Sequence, residues 1–148
     1  MASLRHLVRR TWLSFVDNRA SARDVSVVRQ VLTDPEFALW TKMQAVDQRH
    51  SVRVFERFQR ELADATRDES AAVLLHDVGK SVAMLGTFSR IAATLGLLRG
   101  ARARSYRRHE AIGIELAREA GVGSTVISLM SGVGRKEFFV SFDRADDE

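Results

Sequence analysis

From Val46 to Leu62 a single line of residues, Val46, His50, Val54, Phe58 and Leu62, recurs at every fourth position, and a helix is the structure that turns such a line toward one neighbour. A half-buried strand would need alternation at every second residue, and β-branched alternating runs are scarce in this chain. The line is apolar apart from His50. The segment from about Val46 to Ala65, the longest periodic one, is therefore predicted to be a helix with an imidazole turned to the interior.

The rest of the chain carries the same period. Leu4, Leu7, Val8, Trp12 and Phe15 mark a first helix, and a short one is expected from Ala22 to Leu32. Thr33 or Asp34 can accept hydrogen bonds from the free N–H groups of a helix start, and Pro35, the single proline, suits its first turn. Phe37, Leu39, Trp40 and Met43 give that helix its apolar content. A helix from about Asp68 to Val78 contains the run Ala71 to Leu75, and Gly79 is expected to stop it by taking a left-handed conformation. Phe88 to Leu98 is apolar nearly all round and is expected to be central. Ile112, Leu116 and Ala120 mark an amphipathic helix closed near Gly121 and Gly123, and Val126 to Met130 begins another. Arg135 to Glu148 reads either way. The expected fold class is all-α.

A chain of 148 residues, 45% of them hydrophobic, is long enough to bury one core, and neither a repeat nor a long linker divides it. Charged residues interrupt every apolar stretch before the roughly 20 residues of a membrane span. Arg5, His6, Arg9 and Arg10 likewise break up the N-terminus, which reads as an amphipathic helix and not as a secretory leader. Without cysteine there are neither disulfides nor thiolate ligands, and a cytoplasmic location is expected. The net charge of +4 draws anions without choosing among them. Arg99, Arg102, Arg104, Arg107 and Arg108 are accompanied by one aromatic residue, Tyr106, so a solvated basic face is expected there and nucleic-acid binding is not.

Chemistry concentrates in Leu74-Leu75-His76-Asp77-Val78-Gly79-Lys80. An apolar run buries the helix, and an imidazole and a carboxylate leave its end together. On a continuing helix Lys80 lies three residues from Asp77 and four from His76, within reach of one site. Imidazole and carboxylate together suit a hard or borderline divalent ion, which lowers the pKa of water and so makes a nucleophile of it.

These residues resemble the HD superfamily of metal-dependent phosphohydrolases, whose pattern is a His, a His-Asp pair and a distant Asp on a helical bundle. His50 is similar to its first His, His76-Asp77 to its signature pair, and Lys80 to the lysine of the HDxGK variant; the histidines stand 26 residues apart, as on two helices joined by a short loop. His109, before Gly113, resembles a further His that some branches use for a second metal. Asp146 resembles the terminal metal-binding Asp, with Asp147 beside it as the alternative if the register slips. The resemblance runs from about residue 44 to the end, an HD domain at 44–148, and leaves 1–43 as an additional helical segment packed on that core. It implies hydrolysis of a phosphomonoester or phosphodiester by metal-activated water. The implied cofactor is manganese, iron or magnesium, held by His50, His76, Asp77, His109 and Asp146. Asp77 and Lys80 are implied in catalysis, and Arg107 and Arg108 in binding a small phosphorylated substrate, with nucleotides among the candidates.

One departure stands out. Branches with two metals commonly carry another His some twenty residues beyond the one matched by His109, and Met130-Ser131-Gly132-Val133 has none. The alternative reading is a decayed HD-like module that binds a protein or ligand. Sequence leaves the substrate and the oligomeric state open.

Overall fold

A computed structural model of the chain describes residues 20–82 and 104–147, and the side chains of 20–80 and 109–147. All of its regular structure is helical: α1 (Ala22–Val31), α2 (Asp34–Trp40), α3 (Ala45–Glu61), α4 (Arg67–Leu75), α5 (Val78–Val82), α6 (Arg104–Ala120), α7 (Ser124–Met130) and α8 (Lys136–Asp147). The all-α expectation holds. The helix expected around Leu4 to Phe15 and the apolar segment Phe88 to Leu98 lie outside the described residues. Among the described residues, no helix is long and apolar enough to cross a membrane.

Helix α4 occupies the centre. Glu69, Ser70 and the five residues Ala71 to Leu75 are all buried, so from Glu69 onward the helix shows water no face, as an apolar run without period requires. Helices α1, α2, α3 and α7 pack around it. One continuous core runs from Val28, Leu39 and Trp40 through Phe55, Phe58, Leu74 and Leu75 to Ile112 and Phe138. Residues from 22–43 thus share the core of the later helices. Buried Trp40 donates its indole N–H to Ser51 Oγ at 3.0 Å, and that hydroxyl donates to the Gln48 carbonyl at 2.8 Å, so no polar atom of the pair is stranded.

Two helix starts are secured by buried carboxylates that each serve twice. At α2, Glu36 accepts the Thr33 N–H at 2.8 Å and also pairs with Arg67 at 2.6 and 3.2 Å. At α4, Glu69 accepts the Thr66 N–H at 2.8 Å, and Arg135 donates to its two oxygens at 2.7 and 3.0 Å. The box Thr66-Arg67-Asp68-Glu69 also explains why α4 begins at Arg67, a residue earlier than its apolar run indicated.

Two expectations are corrected. Val46 is exposed, because a strict spacing of four overshoots the 3.6-residue turn by about 40° at each step and so winds off the core face. His50 consequently lies at the edge of the interior, its side chain 31% exposed. Gly79 does not end α4 in a left-handed conformation; among the described glycines only Gly121 and Gly132 have positive φ, and Gly79 sits inside α5. What it contributes is the absence of a side chain. A Cβ there would lie 1.8 Å from the His109 carbonyl oxygen and 2.8 Å from the Gly113 nitrogen, so α5 and α6 meet backbone to backbone.

Gly79→Ala is expected to cost about 3 kcal/mol or more, at or above the ordinary range for overpacking, since the atoms it meets are backbone. Gly123→Ala, where a Cβ meets nothing within 4 Å and only the N-cap preference of glycine over alanine is lost, serves as the milder comparison in urea unfolding. Arg135 is the main reason the Glu69 carboxyl lies below its ordinary 4.5, so the ionised pair stabilises the fold above that pH and the contribution fades as pH falls through the lowered value. The stability gap between wild type and Arg135→Gln should be full at neutral pH and should close on acidification below about 4.5.

Candidate metal centre and the cavity beside it

The turn between α4 and α5 delivers His76 and Asp77 together, and α3 brings His50 against them. One atom from each of His50, His76 and Asp77 can be chosen so that all lie within 4.8 Å of one another, a spacing that one ion can span. Asp146, in the last turn of α8, joins them: its Oδ1 is 3.1 Å from His50 Nε2 and 3.5 Å from His76 Nε2.

The backbone fixes the tautomer of His76. Its Nδ1 lies 2.7 Å from the Val73 carbonyl, which can only accept, so Nδ1 carries the proton and Nε2 of the neutral ring keeps its lone pair for the cluster. That Nε2 is buried without a hydrogen-bond partner, and it stands 3.5 Å from both Asp77 Oδ2 and Asp146 Oδ1. A buried acceptor facing two carboxylates is an arrangement that a shared cation resolves. Burial pushes the His76 imidazole down, yet the Asp146 and Asp77 carboxylates and the Val73 carbonyl outweigh it and hold the group above its ordinary 6.5. His76, with His50 behind it in effect, holds Asp146 down at about 2 against the opposing influence of burial. A divalent ion held there would compete with protons for the same atoms.

Asp77 divides its two oxygens. Oδ2 faces His76 at 3.5 Å and His50 at 3.9 Å, while Oδ1 meets the Lys80 ammonium at 2.8 Å. Lys80 therefore orients the carboxylate while its own side chain stays half exposed.

Asp146 is held by the rest of α8. Phe138, Ser141 and Ala145 form the buried stripe of that helix, which lies along α3. Arg57, two turns beyond His50 on α3, donates to the Ala145 carbonyl at 3.3 Å and so closes the end of the helix next to Asp146. Asp147 is exposed, and the histidines meet Asp146 instead. Sequence reasoning missed Arg57 and this stripe, because serine and alanine at two of its three core positions break the apolar period that Phe138 begins.

A cavity of about 310 Å³ adjoins the cluster. His76, Asp77, Lys80 and His109 line one part of it, and Met130 and Phe139 belong to the apolar remainder. His109 thus shares a cavity with His76 and Asp77 but is outside the group whose ligand atoms converge within 4.8 Å. Arg107 and Arg108 belong to α6, and their side chains lie outside the described residues. The ring of Phe142 meets His76 edge to face, with centroids 5.2 Å apart and planes at 70°. Compared with known proteins, the chain matches no family model, no curated protein and no solved structure.

Arg57→Ala removes one hydrogen bond from the last turn of α8, a loss of about 1 kcal/mol. Amide exchange of that turn should quicken about fivefold, with little change in the amides of α4.

Proposed function

We propose that this chain is a metal-dependent phosphohydrolase of the HD type, cleaving a phosphomonoester or phosphodiester. The observation that carries the reading is the convergence of His50, His76 and Asp77 within 4.8 Å of one another, with Asp146 against both imidazoles, beside a cavity that Lys80 also lines. Two imidazoles and two carboxylates, without any thiolate, suit manganese, iron or magnesium. An ion bound there supplies Lewis acidity toward a phosphoryl oxygen and acidifies water near neutral pH.

The protein's own groups do the positioning. Val73 orients His76 through Nδ1, and Lys80 holds Asp77 so that Oδ2 faces the cluster. Lys80 also offers its charge to phosphate oxygens or to a departing alkoxide, and His109 faces the same space. Arg107 and Arg108, which precede His109 in α6, complete the reading as phosphate contacts. The agreement of these placements with the HDxGK pattern is the support for the HD assignment.

A second reading, a non-catalytic HD-like binding module, draws on one observation. Leu129, Met130, Ser131 and Gly132 line the cavity where a two-metal branch would carry its additional His. That favours a single-ion site or a decayed one.

Purified protein should contain, or take up, about one divalent ion per chain, and should hydrolyse a generic phosphomonoester with added manganese. His76→Ala and Asp77→Asn should abolish both. Lys80→Met, which removes only the outer partner of Asp77, should weaken metal binding by roughly 10- to 100-fold. A wild type that takes up no metal, is inactive and is indifferent in stability to His76→Ala would remove the enzyme in favour of the binding module.

A further inference from the structure

The cavity has two chemically different halves, and the metal reading uses only one of them. Phe138, Phe139 and Phe142 form a continuous aromatic wall: the Phe138 ring lies 4.9 Å from that of Phe139 at 75°, and stacks on Phe142 at 6.0 Å and 16°. Leu129 and Met130 extend this wall from α7, and Ile114 adds to it from α6. Phe139 and Met130 are only partly buried, so each keeps apolar surface that the fold itself does not cover. Because Phe142 packs on His76, the wall begins directly beside the candidate metal ligands.

Charge in the same cavity limits what accompanies that apolar part. Among the described lining residues Lys80 is the one Lys or Arg, while Glu110 and Asp143 also line the space and repel further anionic groups. The volume, about 310 Å³, stands at the lower end of the roughly 300–1,000 Å³ typical of small-molecule sites. A polymer segment is disfavoured by that volume.

We infer that the substrate is a compact monophosphate ester whose organic part is an uncharged aromatic or similarly apolar ring, seated against Met130, Phe139 and Phe142 with its phosphate toward Lys80 and the His76–Asp77 end. The inference rests on the phosphoester reading for the phosphate, and on the aromatic wall for the ring.

Direct binding tests it on the full chain, by titration calorimetry with phenylphosphonate and methylphosphonate, each with and without manganese. Covering one face of a ring predicts that phenylphosphonate binds about tenfold tighter or more. Phe139→Ala and, as a milder variant, Met130→Gln should each reduce that ratio, with thermal unfolding used to verify that the variant is folded. A ratio near one, no binding of phenylphosphonate, or a ratio that both folded variants leave intact overturns the inference. Phenylphosphonate preference without turnover of phenyl phosphate sinks the hydrolase and supports the ring site. Turnover of phenyl and methyl phosphate with equal KM does the reverse.

Discussion

From Glu69 to Leu75 helix α4 has no side that faces water, and much of the molecule follows from that constraint. A helix buried on every face needs neighbours on every face, and α1, α2, α3 and α7 supply them. At its N-terminal end Thr66 and Glu69 close the capping box, and Arg135 neutralises the Glu69 carboxylate that burial would otherwise penalise. Its C-terminal end is where burial becomes useful. The first residues beyond Leu75 are His76 and Asp77, which emerge already surrounded by packed helices and so have little freedom to turn away from His50.

The sequence made the helical class and the cluster legible for different reasons. The period of α3 and the apolar run of α4 are statements about which faces must be buried, and burial decided both. His76, Asp77 and Lys80 were readable because adjacent residues at one helix end cannot be far apart in space. His50 and Asp146 were a different matter, since no local rule brings residues from α3 and α8 together, and they were identified through the resemblance of the spacing to a known pattern. Gly79 misled because glycine has two physical uses: its φ freedom was expected, and its missing Cβ is what α6 exploits. The aromatic wall was invisible as a wall. Phe138, Phe139 and Phe142 read as core content in a segment without a clear period, and only the packing separates buried Phe138 from the partly open Phe139.

Asp77 links the polar and apolar parts of the site. Its two oxygens point to different groups, one toward the histidines and the other toward Lys80, so the carboxylate ties the cluster to the Lys80 ammonium. The adjoining cavity is lined by His109 and Lys80 in its polar part and by the phenylalanines in its apolar part. Close contact between the α5 and α6 backbones holds the His109 backbone against Gly79, because any side chain at Gly79 would force the His109 carbonyl away.

The pairing of His50 with Asp146 spans 96 residues of chain. Closing so long a loop is slow and entropically costly compared with the local turn that aligns His76 and Asp77. The adjacent pair is therefore expected to be in place during folding before His50 and Asp146 meet. Docking of α8 onto α3 is the event that brings Asp146 to the two histidines, so the cluster is completed only when the last helix has packed.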